Sequence, residues 1–163
     1  RLSSPFFRMP QTFEDNIGQT DVHVGVVVAH YNEEFTAKLL AGTLRSLDEA
    51  HIDDGNVHVV WVPGAFEIPI TAQRLAEDGD HHVIVCLAVV MRSETPHFDF
   101  VAGETARGIM TAGLTTGVPI IFGVQTVDNR DQAIARTMPD NSNRGYVAGQ
   151  AGLQMANLFR QFD

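Results

Sequence analysis

Short apolar runs alternate with amphipathic stretches along most of the chain. Runs rich in valine and isoleucine predict buried strands at four places, residues 22–30, 57–62, 82–91 and 118–127. Apolar residues at helical spacing predict a helix after each run and a fifth near the end, at residues 33–50, 63–78, 97–116, 129–138 and 145–162. Apolar strands that alternate with helices are typical of a parallel sheet covered on both faces. With right-handed crossovers, the pattern predicts an α/β protein, a three-layer α/β/α sandwich around a four-stranded parallel sheet.

Local signals predict how individual helices begin. Asn32 precedes the first helix, and its side chain is expected to cap the free N–H groups there. Pro69 falls in the first turn of the second helix, where a missing N–H is tolerated. Apolar residues are expected on one side of the third helix, namely Phe98, Val101, Ala102, Ala106, Ile109 and Leu114.

The remaining residues, at the start of the chain, have no sustained periodicity. Residues 1–21 contain two prolines and are predicted to form an irregular N-terminal arm, which Phe6, Phe7 and Phe13 can attach to a surface. Residues 22–163 are predicted to form one domain, which suits a chain of 163 residues.

Composition narrows the class of partner. The chain has 20 acidic and 11 basic residues and a formal net charge of -9. Nucleic acids and anionic membranes attract positive surfaces, so neither is expected as a partner. The apolar runs are far shorter than the roughly 20 residues that span a bilayer. No signal peptide is visible, and a cytoplasmic location is expected, or an organelle stroma if a transit peptide preceded Arg1.

Motifs for metals, cofactors and common nucleophiles are missing. The sequence has no GxGxxG after the first strand, no GxxxxGK[ST], no HExxH and no GxSxG. Adjacent His81 and His82 are either a weak metal pair or a solvated turn, and the turn is favoured. Cys86 lies in an apolar run and is interpreted as a small buried residue rather than a nucleophile. We therefore expect neither a metal nor a serine-hydrolase mechanism, and neither a dinucleotide nor a nucleoside triphosphate is indicated.

Ligands of parallel α/β sheets bind beyond the carboxyl ends of the strands. The segments that follow the four predicted strands are HYNE, PGAFE, RSETPH and QTVDN. Tyr31 and Phe66 stand in two of these segments, and each is either a core residue or a platform for a planar ring. Glu67 is either a first-turn acid favoured by the helix dipole or a ligand group.

The third segment and the end of the chain carry the groups suited to an anion and to proton transfer. SETPH opens a helix, whose free N–H groups can hold an anion. Arg136 and Arg144 flank the break between the last two helices and are either solvated charges or a phosphate clamp. His97 is the acid–base candidate of this set at neutral pH, although a histidine at a turn is also compatible with a surface role.

Five segments in this order and spacing resemble the lumazine synthase family: WVPGAFEIP, RSETPHFDFVAGE, GVPIIFGV, DNRDQAIAR and NRGY. HYNEEFTAKLL is similar to the first strand–helix junction of that family, and the resemblance covers residues 22–160. It implies a flavodoxin-like sheet flanked by helices and the penultimate step of riboflavin biosynthesis. In that step, 5-amino-6-ribitylaminouracil condenses with 3,4-dihydroxy-2-butanone 4-phosphate to 6,7-dimethyl-8-ribityllumazine, phosphate and water. The resemblance implies no cofactor or metal. It implies a homopentamer, and the family also includes 60-mers built from twelve pentamers.

The resemblance also implies roles for individual positions. His97 matches the proton-transfer histidine, and Arg136 matches the phosphate-binding arginine. Positions that match substrate-contacting residues are Tyr31 and Phe66 beside the ring, Ala65 and Glu67 in the same AFE segment with Glu67 facing the ribityl hydroxyls, Val89, Val90 and Met91 along the pyrimidine, Glu94 and Thr95 at the phosphate, Phe122 from a neighbouring subunit, and Arg144 in place of a lysine. Tyr31 replaces the family's usual phenylalanine, and Ser93 its usual glycine.

Two other functions are considered beside the enzyme. One is a non-catalytic flavin- or lumazine-binding shell or scaffold protein of the same fold. The other is an unrelated flavodoxin-like binding module, which would place a phosphate loop rich in serine, threonine and glycine after the first strand, where this chain has HYNEE. The joint presence of five matching residues favours the enzyme: Phe66, Glu67, His97, Phe122 and Arg136.

Overall fold

Four parallel strands form the middle layer of the protein. A computed structural model of the chain describes residues 9–163. Its strands are β1 (Val24–Ala29), β2 (Val57–Val62), β3 (Val83–Met91) and β4 (Ile120–Val127). They pair in the order β2-β1-β3-β4, with every pair parallel. The predicted three-layer sandwich is confirmed. Its physical basis is that apolar strands of this kind must bury both faces of the sheet under helices.

Five α-helices cover the two faces of the sheet. They are α1 (Glu33–Glu49), α2 (Ile68–Glu77), α3 (His97–Thr116), α4 (Arg130–Arg136) and α5 (Arg144–Arg160). A short 3-10 turn (Ala65–Glu67) leads into α2, and Pro69 occupies the first turn as predicted. Helices α1, α4 and α5 pack on one face, and α2 and α3 pack on the other. No helix among residues 9–163 is long and apolar enough to cross a membrane.

Side chains of each strand alternate between two separate cores. In β1, Val26 and Val28 pack toward α1 and α5, whereas Val27 packs toward α2 and α3. Cys86, in the middle of β3, is fully buried in the second core. Burial raises the pKa of its thiol far above the usual value, which keeps the group neutral at physiological pH. The interpretation of Cys86 as a small buried residue is confirmed.

Two details of the predicted helices are wrong. Asn32 occupies the N-cap position of α1, but its backbone is left-handed, with φ 63° and ψ 39°, and its side chain caps no helical N–H group. It points instead to β3, as described below. Leu114 is expected on the same side of α3 as Phe98 and Ile109, but those two residues are buried whereas 78% of the surface of Leu114 is exposed. The last turns of α3 therefore present an apolar residue to solvent in the single chain.

Residues 9–23 form neither helix nor strand, and several of them contact the end of α5 and the residues after it. The ring of Phe13 packs edge-on against Phe162, with centroids 5.4 Å apart. The side chain of Asn157 donates a hydrogen bond of 2.8 Å to the carbonyl of Asn16. Phe13 thus attaches the described part of the arm to a surface as expected, while Phe6 and Phe7 lie outside the described residues.

Helices α1 and α5 approach so closely that their contact requires glycine. A Cβ atom added at Gly145 would overlap the backbone carbonyl of Leu39. The Gly145 carbonyl accepts a hydrogen bond of 2.7 Å from the hydroxyl of Thr43. The Asn143 side chain accepts from the N–H groups of Gly145 and Tyr146 and caps the start of α5. The first turn of α5 is therefore fixed against the middle of α1 by backbone contacts that cannot relax by a change of side-chain rotamer.

Replacing Gly145 by alanine should destabilise the fold, because the added methyl group meets backbone rather than a movable side chain. Overpacking of this kind costs about 1–3 kcal/mol or more. Urea unfolding followed by circular dichroism measures the change. Gly103→Ala is the matched control: it also lies in a helix, but its added Cβ meets no atom within 4 Å. The control should be neutral or slightly stabilising, and equal stability of the two variants would contradict the explanation.

Candidate functional site

A cleft of about 740 Å³ opens at the carboxyl edge of the sheet. The ends of β1, β2 and β3 and the start of α3 surround it, as expected for a parallel α/β sheet. Its lining residues are Ala29, Tyr31, Pro63, Gly64, Ala65, Phe66, Glu67, Val89, Val90, Met91, Ser93, His97, Phe98, Phe100, Val101 and Glu104. Eight of the thirteen residues predicted from the sequence are in this set.

Two aromatic side chains stand on the wall formed by the ends of β1 and β2. Tyr31 is 73% exposed and Phe66 is 63% exposed, so neither ring belongs to a core. The N–H of Tyr31 donates to the carbonyl of Pro63 over 3.0 Å, which joins the two segments. Exposed aromatic rings beside a cleft provide a surface for a planar ligand. Of the two alternatives left open for these residues, the core role is excluded within the single chain.

The floor of the cleft is formed by the last residues of β3, Val89 to Met91. The last paired residues of β1 and β3 are Val28 and Leu87, whereas β3 stays paired with β4 as far as Met91. On the β1 side, the carbonyl of Val89 accepts a hydrogen bond of 2.8 Å from the side-chain amide of Asn32. The floor is thus a strand end with one supported edge and one edge open to the cleft.

The first two turns of α3 contribute the remaining wall. His97 is the first residue of this helix, and Phe100, Val101 and Glu104 follow it at positions i+3, i+4 and i+7. Such residues share one face of a helix. Phe100 and Glu104 were not predicted as site residues. The signal that identifies them is the helical spacing counted from His97, which the sequence analysis used only to find buried positions.

The turn between β3 and α3 has free backbone donors. In the part of the chain that the structure describes, the N–H groups of Ser93, Glu94 and Thr95 donate to no protein acceptor. Ser93 lines the cleft, whereas Glu94 and Thr95 are exposed beside it and are not among the lining residues. Free N–H groups before a helix are suited to an anion. The turn therefore has the chemistry that its predicted role requires.

Arg92 fixes this turn without contributing an unpaired charge. Its guanidinium lies 3.5 Å from the carboxylate of Asp99 and 3.1 Å from that of Asp128. It also stacks over the ring of Phe98, 4.3 Å from the centroid. Asp99 and Phe98 immediately follow His97, so Arg92 connects the start of α3 to the loop after β4. Exposed ion pairs contribute little energy individually, but this group of contacts restricts the position of His97.

The cleft has acidic groups and lacks a permanent cation. Its lining includes the carboxylates of Glu67 and Glu104, and none of the lining residues described is a lysine or an arginine. The nearby charge of Arg92 is already paired with two carboxylates. A single chain therefore offers a cleft suited to a planar, hydroxyl-bearing ligand, but it is incomplete as a site for a phosphate dianion.

Three predicted residues lie away from the cleft of the same chain. Phe122 is half-exposed on β4 and pairs with Cys86, five residues before the end of β3, or about 16 Å along the strand. Arg136 ends α4, which packs on the opposite face of the sheet, and its guanidinium donates to the carbonyl of Gln132. Arg144 begins α5 and is exposed. One chain does not bring these three residues together with His97.

The histidines at the opposite edge of the sheet form pairs rather than a metal centre. His58 Nδ1 lies 2.9 Å from His81 Nε2, and the N–H of His23 donates to His82 Nδ1 over 2.8 Å. His81 is buried, so its interpretation as part of a solvated turn is wrong. Burial lowers the pKa of the His81 imidazole and favours its neutral form. Residues 9–163 contain no group of three or more histidine, cysteine or acidic side chains arranged to hold a metal.

The fold and the cleft define a class of protein: a three-layer α/β protein with a ligand cleft at the carboxyl edge of a four-stranded parallel sheet. The family 6,7-dimethyl-8-ribityllumazine synthase matches residues 21–160 of the chain. This is nearly the whole sequence, and the chain belongs to the lumazine synthase family. Membership implies a transferase that carries out a condensation of riboflavin biosynthesis, with small-molecule substrates and an oligomeric assembly.

Riboflavin should bind in the cleft, because its planar ring can stack on Tyr31 and Phe66. Aromatic stacking contributes about 0.5–1.5 kcal/mol per pair beyond the area buried. Replacing both residues by leucine should therefore weaken binding on the order of tenfold, measured by the quenching of riboflavin fluorescence. Leucine in place of Phe13, an exposed phenylalanine of the arm, is the control. Unchanged quenching in the double variant would place the flavin elsewhere.

Proposed function

We propose that the chain catalyses the condensation of 5-amino-6-ribitylaminouracil with 3,4-dihydroxy-2-butanone 4-phosphate to 6,7-dimethyl-8-ribityllumazine. The observation that supports this proposal is the grouping of eight predicted site residues around one cleft in a chain of this family. In this proposal the pyrimidine ring stacks beside Tyr31 and Phe66 and meets the backbone of β3. Glu67 faces the ribityl hydroxyl groups.

Positioning of the two reactants supplies most of the proposed rate enhancement. Holding two molecules in reactive geometry is equivalent to about 7–11 kcal/mol of the barrier in favourable cases. The cleft suits this role because hydrogen bonds hold its walls: the Tyr31 N–H donates to the carbonyl of Pro63, and the side-chain amide of Asn32 donates to the carbonyl of Val89. The ketone carbonyl and the 5-amino group then form an imine with loss of water, and elimination of phosphate leaves an enol that tautomerises to a second carbonyl. The ribitylamino nitrogen attacks this carbonyl and closes the ring with loss of a second water.

His97 is the proposed proton-transfer group for these steps. Imine formation, phosphate elimination and ring closure each move a proton, and an imidazole can accept and donate near neutral pH. His97 is exposed to the cleft at the start of α3, next to the turn with free N–H groups. A phosphate held by Glu94 and Thr95 amides would bring the reacting carbons close to this ring.

The phosphate requires a cation that the single-chain cleft lacks. We propose that a neighbouring subunit of a homopentamer supplies Arg136, together with Phe122 and Arg144. Large apolar side chains exposed on α2 and α3 support an assembly, because such faces are normally covered: they are Ile70, Phe100, Met110 and Leu114. Head-to-tail contacts of identical subunits close into a ring when the rotation between neighbours divides the circle. A 60-mer of twelve pentamers is a further possibility within the family.

The alternative is a non-catalytic flavin- or lumazine-binding shell protein. Ser93 in place of glycine favours it, because this residue lies in the turn where the phosphate is proposed to bind. The two functions differ in one measurement. An enzyme forms the absorbing and fluorescent lumazine from the two substrates, whereas a binding protein binds riboflavin without forming product.

Purified protein mixed with both substrates should form the lumazine, and His97→Ala should slow turnover substantially without abolishing it. General acid–base catalysis contributes typically 10²–10⁴-fold, and positioning is independent of it. Lumazine absorbance measures kcat for both proteins. His51→Asn, at an exposed histidine outside the cleft, is the control. Wild-type protein without turnover would contradict the proposed function, and full kcat in His97→Ala would contradict only the role of His97.

Two strongly impaired variants should complement each other if the site is shared between subunits. His97→Ala and Arg136→Ala are dissociated, mixed in equal amounts and reassembled. Random mixing pairs an intact His97 with an intact neighbouring Arg136 at roughly a quarter of the interfaces. Activity should therefore return to about that fraction of the wild-type value. Proven subunit exchange without recovery would contradict the shared site.

A further inference from the structure

The end of β3 has no strand beside it on the cleft side. Pairing of β1 with β3 stops at Val28 and Leu87, and four more residues of β3 follow. On the other side these residues remain paired with β4. The carbonyl of Val89 faces the open side, where it would lack a strand partner, and the side-chain amide of Asn32 donates to it over 2.8 Å. Asn32 thus replaces the missing strand at one position.

The backbone of Asn32 is adapted to this contact. Its φ of 63° is left-handed, a conformation shared with only one other non-glycine residue among those described, His51. Asparagine and aspartate tolerate this region better than other residues with a side chain. Although Asn32 precedes α1, its side chain makes no capping hydrogen bond to the helix. The side chain of Asn32 therefore bonds to β3 and does not cap α1, which is the usual role of a residue at this position.

We propose that Asn32 is a positioning residue that fixes the end of β3 relative to the ring of Tyr31 and so aligns both with the heterocycle. This inference rests on the proposed function. The N–H of Arg92 donates to Val127 of β4, and successive peptide groups of a strand point to opposite sides. The N–H and carbonyl of Met91 consequently point away from β4, toward the cleft. Asn32 engages Val89 and leaves this next pair of groups available to the edge of a pyrimidine.

The test uses two variants that keep the left-handed backbone accessible. Asn32→Asp preserves size and removes the donor, and Asn32→Gly removes the side chain without backbone strain. Titration calorimetry with 5-amino-6-ribitylaminouracil alone should show binding weakened about five- to tenfold in both variants, the effect of one lost hydrogen bond. The KM for the phosphate substrate should change less than about twofold, since this contact lies on the pyrimidine side. Amide hydrogen exchange should become faster in residues 87–92.

His51→Gly is the matched control, because it changes the other left-handed residue, which lies outside the cleft. It should change neither pyrimidine binding nor exchange in β3. Faster exchange with unchanged pyrimidine affinity would overturn the positioning role, and so would equal losses for both substrates. Unchanged exchange would show that the contact does not hold β3, which also overturns the proposal. Wild-type protein that binds the pyrimidine without turnover would contradict the proposed reaction while the titrations still decide the role of Asn32.

Discussion

The difference in length between two neighbouring strands determines the form of the candidate site. β3 continues past the last residue of β1, and the chain leaves β1 by turning sharply at Tyr31 and Asn32. A gap one strand wide therefore opens beside the end of β3, which stays paired with β4 on its other side. Buried backbone groups require partners, so side chains, water or ligands must satisfy the exposed edge in a gap of this kind. Asn32 satisfies part of that edge, and the remainder is available for a ligand.

The fold was predictable because its signals are local. Continuous valine-rich runs are typical of parallel strands that are buried on both faces, and they determine fold class without reference to partners. The predictions that failed depend on tertiary contacts. A left-handed asparagine that bonds to a strand 57 residues away has the same local signature as a capping residue. The sequence around His81 predicts a polar residue in a solvated turn, but the pairing of His81 with His58 across the sheet allows it to be buried.

Two arguments predicted most of the candidate site: ligands of parallel sheets bind beyond the carboxyl ends of the strands, and the sequence resembles a family with known site positions. Tyr31, Phe66, Met91 and His97 follow or end strands and converge on the cleft. Phe100 and Glu104 were missed because apolar spacing along α3 was used to find the core rather than the cleft. Phe122 and Arg136 are different: no rule of local sequence states which copy of a chain supplies a residue, and the single chain leaves both outside the cleft.

The burial of Cys86 in the middle of the sheet has a practical consequence. It is the single cysteine of the chain and is fully buried, and its thiol is held in the unreactive neutral form. Central strands open only in near-global unfolding, unlike loops and termini. Labelling of Cys86 by a thiol reagent would therefore report the opening of the whole sheet and would not respond to motion in the cleft. The rate of labelling therefore measures global unfolding of the chain without a ligand or an added probe site.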